Sequence, residues 1–233
     1  MKHNKFKRFL KDNRKGQIFL VCTVIMTIYM LSFINIVYEL NRTQYTEELE
    51  INEFQATFDN FRSETNAYVI SMLANFSQPA TIIDSNTTAG IILQSWLDFA
   101  EVQMLGKGYI AVFEIDELIP AVLPVELVST NGRMSFRGDI DVYMECNYMS
   151  IVTQLSYSVN YTLAYTNTAT NAIIDFYYET AFGITYIGYS QVTVNAAATT
   201  DLYNGTYIYT APLAPGDIVI GVSVEQVIVT LTV

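Results

Sequence analysis

The chain has a single histidine, His3, and two cysteines, Cys22 and Cys146, in 233 residues. Without imidazole, the body of the protein has no Ser-His-Asp or Cys-His pair and no zinc site of the Cys/His type. With Cys146 alone beyond the first segment, it has no intrachain disulfide, so the fold must rest on its core and on strand pairing. No Gly-Lys-Ser/Thr phosphate loop and no GxGxxG fingerprint is present, and no cofactor is expected. Charge is also scarce, at 15%, and positive charge scarcer still: 12 Lys and Arg against 23 Asp and Glu. Residues 1–16 hold seven of the cations and one acid, Asp12, giving that segment +6. The remainder carries −17. Such a body lacks the Lys and Arg that neutralise phosphates, which excludes nucleic acid as a partner. The asymmetry points instead to a membrane.

Residues 18–38, IFLVCTVIMTIYMLSFINIVY, contain no charge. At about 1.5 Å per residue these 21 residues cover roughly 31 Å as a helix, the thickness of a bilayer core. Seven cations precede the span, and Glu39, Glu47, Glu48, Glu50 and Glu53 follow it. Lys and Arg beside a span stay cytoplasmic, so the N-terminus is expected inside and residues 39–233 outside. The apolar run is longer than that of a cleaved secretory signal and lacks a small-x-small site at its end.

The start of the span reads Arg14-Lys15-Gly16-Gln17-Ile18-Phe19-Leu20. A short basic leader ending in Lys-Gly, followed by Gln and an uncharged helix, resembles the class III signal peptide of archaeal type IV pilin-like proteins, the group that includes archaellins and adhesion pilins. The resemblance covers residues 1 to about 40. It implies that a prepilin peptidase-like enzyme cuts between Gly16 and Gln17, with Lys15, Gly16 and Gln17 as the processing site. It further implies that the apolar helix stays on the mature chain and packs in a filament core. Many pilins carry Glu at the fifth mature position; here that position is Val21.

Beyond the span, Thr46 with Glu47 and Glu48 predicts a helix over 46–76 with an N-terminal cap and first-turn acids. Asn41-Arg-Thr-Gln leaves open whether it is continuous with the span. Ile51, Phe54, Phe58, Phe61, Met72 and Phe76 recur at helical spacing. Phe54, Phe58 and Phe61 are either an assembly stripe or the face that packs on the protein's own sheet. Residues 77–88 read as a turn-rich break, and 89–105 as a second amphipathic helix, with Ile92, Leu93, Trp96, Phe99 and Val102 along its course. Gly106-Lys-Gly108 ends it. From Tyr109 the period changes to two. Strands are expected at 109–116, 122–129, 133–146, 150–166, 172–186, 189–197, 203–210 and 217–232. Asn131-Gly132 and Asn204-Gly205 read as hairpin turns. The fold class is therefore α+β: an N-terminal transmembrane or pilin-like helix with a helical extension, a second helix, and an antiparallel β-sandwich. The segments are a leader at 1–16, a membrane or filament-core helix at 17–38, a helical stalk at 39–108 and a β domain at 109–233.

Five Asn-x-Ser/Thr sequons occur, at Asn41, Asn75, Asn86, Asn160 and Asn204. Asn86 in a loop and Asn204 at a hairpin tip are the best placed for a glycan, followed by Asn160 on a strand face. Asp139, Asp141 and Glu145 alternate on one strand with Tyr143, so they share a face. That face is either solvated or a site for a hard cation; no metal is assigned. Cys146 alternates with the inward set Ile140, Val142 and Met144, where a free thiol serves as a small hydrophobe. There are 17 tyrosines, many on strands, among them Tyr157, Tyr161, Tyr165, Tyr177, Tyr178, Tyr186, Tyr189, Tyr207 and Tyr209. A tyrosine rim suits lateral packing or glycan binding, and is equally the residue choice of half-exposed strands. The last expected strand is either central or an edge open to a neighbour.

The expected function is a pilin-like surface protein, structural or adhesive and not an enzyme. Its expected partners are the membrane, other copies through the N-terminal helix, a processing peptidase and surface glycans. The alternative is an anchored extracellular binding module that never polymerises. A carboxylate-only hydrolase would require Glu114 or Asp116 to converge with Asp139 or Glu145 in a cleft.

Overall fold

The computed structural model describes residues 2–79, 81–116, 124–180 and 183–233, and only the backbone for residues 2–20. The chain divides into two compact units, Met1–Gln55 and Ala56–Val233.

The first unit is helical throughout its described residues. It belongs to α1 (Lys2–Phe76), which continues unbroken into the second unit. The expected cap at Thr46 is absent, and so is any break at Asn41-Arg-Thr-Gln. No Gly or Pro stands between Gln17 and Phe76. The hydroxyls also turn back onto the helix: Thr43 Oγ1 donates to Glu39 O and Thr46 Oγ1 to Arg42 O, both at 2.9 Å. A hydroxyl satisfied by the carbonyl four residues earlier sits within a helix instead of starting one.

In the second unit, α1 buries Phe61, Thr65, Val69, Met72 and Leu73 along one face. α2 (Asn86–Gly106) starts three residues before the expected position because Ser85 caps it, its Oγ accepting from Thr88 N at 3.1 Å. Its buried stripe is Ala89, Leu93, Leu97, Ala100 and Met104, while Phe99 and Val102 are exposed. The contact face is the one with small residues, which let the helix lie close to its neighbours. Gly108, at φ +88°, terminates the segment.

Twelve strands follow among the described residues: β1 (Ile110–Asp116), β2 (Glu126–Thr130), β3 (Arg133–Glu145), β4 (Ser150–Asn167), β5 (Ala172–Thr180), β6 (Gly183–Tyr186), β7 (Gln191–Val194), β8 (Ala197–Ala198), β9 (Thr200–Asp201), β10 (Thr206–Tyr209), β11 (Ile218–Val222) and β12 (Ile228–Thr232). Every pairing is antiparallel. The larger sheet runs β1-β3-β4-β5-β10-β9, with β2 also on β3 and β6 also on β5; the smaller runs β12-β11-β7-β8. This is the α+β arrangement with two antiparallel sheets, sandwich-like, that the sequence predicts. The strand boundaries differ in several places. The expected strand 217–232 is a hairpin of β11 and β12, 172–186 is two strands, β8 begins at the last residue of the expected 189–197, and β9 falls between the expected 189–197 and 203–210. Residues 122 and 123 of the expected second strand, and 181 and 182 of the fifth, lie outside the described residues.

One face of the larger sheet holds the core. Met134, Phe136, Ile140, Val142 and Met144 of β3 point inward, opposite Val159 and Tyr161 of β4. Helices cover part of this face, where Phe61 of α1 stacks on Phe113 of β1 with centroids 4.1 Å apart. The small sheet covers another part. Gly221 of β11 lies so close to Leu163 that a Cβ there would stand 3.0 Å from Leu163 Cδ2. Trp96 is the half-buried anchor between helices, stacked on Tyr68 and donating from Nε1 to Thr65 Oγ1 at 3.3 Å.

Candidate functional site

The first candidate site is the apolar part of α1. Every side chain from Val21 to Leu40 is exposed, and none of its apolar window is buried in the chain itself. Leaving a large apolar side chain in water forgoes about 1.5–3 kcal/mol of burial free energy. A run of such residues is therefore incompatible with water on all sides, and the helix is long and apolar enough to cross a membrane. Within it, Thr27 Oγ1 donates to Thr23 O at 2.8 Å, which removes a polar group that hydrocarbon would leave unsatisfied. Lys15, Gly16 and Gln17 lie on the helical backbone of α1; their side chains are outside the described residues. Farther along α1, Phe54 and Phe61 are buried and Phe58 is half-buried. Phe61 is committed to Phe113 inside the chain.

The second candidate is the outer face of the larger sheet. Register brings Glu114 opposite Asp141 and Asp116 opposite Asp139. Like charges directly opposite are destabilising by roughly 0.2–1 kcal/mol per pair. The next strand supplies a partial remedy: Gln154 Nε2 donates to Asp116 Oδ2 at 2.6 Å and to Asp141 Oδ1 at 3.2 Å. Tyr143 donates to Glu145 Oε2. Glu114 and Asp141 line an open depression of about 440 Å³ on the sheet surface, beside exposed Val112 and Val152. Among the described residues, no three Asp, Glu, His or Cys side chains converge as metal ligands would. The one ion pair among them is Arg62 with Asp59, at 4.0 Å and well exposed. From Gly138 to Val233 there is no Lys or Arg at all.

The sequons differ in how free they are. Asn204 is exposed in the turn between β9 and β10, its Oδ1 accepting from Thr206 N at 3.0 Å. Asn86 is not in a loop but is the first residue of α2. It is half-buried, and its Oδ1 accepts from Leu127 N at 2.8 Å. Asn160 is half-buried on the outer face of β4, opposite Ser135 and Glu179. Asn75 uses its Oδ1 to hold Thr81 and Ile82.

Beside Asn204 lies an arrangement the sequence reading missed. Tyr189 and Tyr203 stand 77% and 66% exposed, with ring centroids 5.1 Å apart. Both backbones take left-handed φ, 60° and 61°, a conformation uncommon outside Gly and Asn. One carboxylate holds both: Asp201 accepts from Tyr189 N at 3.0 Å and Tyr203 N at 2.6 Å. Below them, buried Tyr207 donates to Ile187 O at 2.8 Å and accepts from Ser190 N at 3.1 Å. Burial raises the pKa of its phenol. Tyr157 and Tyr161 of β4 face inward, and burial pushes Tyr157 up to about 12. Tyr161 is raised as well, first by burial and then by the Glu225 carboxylate near its hydroxyl. Tyr161 and Tyr207 therefore serve the core and loop anchoring, while Tyr165, Tyr186, Tyr189 and Tyr203 are outward.

Cys146 is not part of the inward row. β3 ends at Glu145, and Cys146 lies half-buried in the following turn with its N–H on Met149 O at 2.8 Å. Strand alternation stops where the strand does.

The strand edges carry a pattern of side-chain locks. On β1, Glu101 Oε1 accepts from Phe113 N at 2.6 Å, and the Gln94 amide bonds both Phe113 O and Ile115 N at 3.2 and 3.4 Å. Asn86 does the same for β2. On β12, Ser77 Oγ accepts from Ile228 N at 2.9 Å and Gly132 N donates to Thr230 O at 2.8 Å. Asn131 completes it, accepting from Thr232 N at 2.5 Å and donating to Thr232 O at 2.7 Å. The last strand is thus an edge, and it is closed. No family model, curated protein or solved structure matches this chain.

Proposed function

We propose that this chain is a pilin-like cell-surface protein, structural or adhesive, held or polymerised through its N-terminal apolar helix and performing no catalysis. The observation that carries the reading is the uncharged stretch of α1 after Lys15-Gly16-Gln17, exposed from Val21 to Tyr38, with seven cations before it and Arg42 alone close behind it. In this reading a peptidase removes the +6 leader on the cytoplasmic side, and residues 39–233 lie outside the cell. The acidic, cation-poor body suits sugars, cations or a basic surface as partners, not nucleic acid. Among the sequons, Asn204 is the best placed to carry a glycan, since it is exposed in a turn.

Mass spectrometry of the N-terminus of the chain isolated from its own cells tests the reading. A mature chain beginning at Gln17 is expected; an intact Met1 on surface-exposed protein overturns it. Val21, at the fifth mature position where many pilins have Glu, favours a second reading in which the processed chain remains a monomeric anchor. Electron microscopy of sheared cell-surface filaments, probed for this chain, separates the two.

A further inference from the structure

The turn before β7 and the turn before β10 are built against each other. A Cβ on Gly188 would stand 2.8 Å from Tyr203 O, and a Cβ on Gly205 would stand 2.6 Å from Tyr186 Cβ. Asp201 closes the arrangement, one carboxylate oxygen on Tyr189 N and the other on Tyr203 N. Both tyrosines take left-handed backbone, which is unfavourable for any residue with a Cβ. Strain of this kind persists only where the surroundings impose it, and it collects at binding sites. The two rings are thus held outward in a fixed place, and an occupant that covers them need not first order them.

Charge and size narrow what that occupant is. Both Asp201 oxygens are already bonded, and no Lys or Arg follows Arg137, so the pair brings no cation to an anion. With centroids 5.1 Å apart the rings rest on each other and leave no cage for a cation between them. Two tyrosines bury at most about 500 Å², short of the roughly 800 Å² that a stable protein interface takes from each partner. An uncharged group of a ring's own size fits, and the next residue in the chain can carry one. Asn204 follows Tyr203 directly, and consecutive Cα atoms are about 3.8 Å apart. Its Oδ1 is fixed on Thr206 N at 3.0 Å, while its Nδ2 makes no bond among the described residues.

We infer that the first sugar of an Asn204 glycan lies on the Tyr189–Tyr203 pair, the C–H face of its pyranose ring against the aromatic faces; this builds on the placement of a glycan at Asn204 above. Attachment joins Nδ2 to the anomeric carbon of a sugar supplied by a glycosyl-phosphate donor; the phosphate leaves and Nδ2 gives up one proton. Thr206, the third residue of the sequon, holds its hydroxyl on Asp175 Oδ1 at 2.9 Å. An enzyme that reads this hydroxyl therefore acts before the turn closes. Once attached, the sugar meets the rings at an effective concentration on the order of millimolar, so a weak contact suffices.

The test uses the full chain and its variants from their own cells, in detergent. Peptide mass spectrometry reads whether Asn204 carries a sugar and, in the same digest, whether the chain begins at Gln17. A bare Asn204 overturns the inference whatever the N-terminus. Hydroxyl-radical labelling then compares the glycosylated chain with two that lack the sequon. Asn204→Asp keeps an acceptor for Thr206 N; Thr206→Val keeps Asn204 and adds no charge. Labelling follows exposed area, so Tyr189 and Tyr203 should label about threefold less with the glycan than in either variant. Tyr148, on another turn, should not change. Leu202, exposed on the same turn, separates a seated sugar from a swinging one: equal shading of Leu202 and the two tyrosines overturns the inference. An occupied Asn204 with unshaded rings leaves the glycan standing and removes its seat. The glycan should also raise the melting temperature by about 2–4 °C, and by clearly less in Tyr203→Ala. The gain is read within each background, so a weaker turn in that variant does not mask it. Equal gains in both overturn the inference too.

Discussion

Asn131→Ala is expected to open the outer edge of β12 while leaving the rest of the smaller sheet in place. The Asn131 amide makes two bonds to one residue, accepting from Thr232 N at 2.5 Å and donating to Thr232 O at 2.7 Å. Each is worth about 0.5–1.5 kcal/mol net. The site is exposed, so water replaces part of the loss, and about 1–1.5 kcal/mol is expected. Since 1.4 kcal/mol is tenfold in an equilibrium, the Thr232 amide should exchange with solvent deuterons roughly five to ten times faster. Val229 and Leu231 bond toward β11, because Ile228, Thr230 and Thr232 are the residues held from the outer side. Their exchange should change far less. Site-resolved hydrogen exchange on the full chain in detergent reads all of these amides together. Asn131→Asp keeps an acceptor for Thr232 N but loses the donor to Thr232 O, and should fall between. Unchanged Thr232 exchange, or equal acceleration at Leu231 and Thr232, would refute the idea that this side chain guards the edge.

Three further outcomes follow from the packing and the titrating groups. Phe113→Ala removes a ring with no exposure that stacks on Phe61; a loss of about 3–5 kcal/mol is expected in urea unfolding of the detergent-solubilised chain. Gly205→Ala places a Cβ 2.6 Å from Tyr186 Cβ at φ +82°. At least about 1–2 kcal/mol of left-handed strain plus the clash should lower the melting temperature, whereas Gly106→Ala, with open space around it, should not. Alkali should destabilise the body between about pH 10 and pH 12. The Tyr157 phenol is held up to about 12 by burial, so above the ordinary tyrosine value near 10 the unfolded chain binds fewer protons than the folded one, and stability falls as pH rises. Stability is complete below that window, and Tyr157→Phe should flatten the decline in an unfolding series from pH 8 to pH 12.

The parts of the fold that were legible are those whose cause is local. β3 shows it best: Met134, Phe136, Ile140, Val142 and Met144 alternate with Asp139, Asp141 and Tyr143, and that alternation alone assigns the inner and outer faces. The apolar stretch of α1 was equally plain, since nothing but its own composition defines it. The β11–β12 turn was not, because it contains neither Gly nor Pro. A buried Ser223 makes it instead, with Oγ accepting from Val227 N at 3.2 Å, and Gln226 takes φ 70°. Asn131-Gly132 marked a turn correctly, but only Gly132 has positive φ, so it is not the type in which both central residues do. Asn131 is used elsewhere. Its partner lies 101 residues away, and the partner of Asn86 lies 41 away. Edge locks of this kind have no period and no motif, so a reading of local pattern passes over them. The Tyr189–Tyr203 pair was hidden for the same reason: Asp201 brings two separate turns together.

The bond from Ile228 N to Ser77 Oγ spans 151 residues of chain, and it fixes when the body can finish folding. At a synthesis rate of about 5–20 residues per second, Ser77 waits roughly 8–30 s for its partner to be made. Helices form within microseconds and hairpins within tens of microseconds, so α2 and the β3–β4 hairpin have ample time to form first. The final closure is a long-range event that joins the end of α1 to the last strand. Contacts of such high sequence separation slow folding, and through the whole delay the inner face of the large sheet lacks part of its cover. A nascent chain held at a bilayer by its first helix would pass that interval beside the membrane, with its core half built.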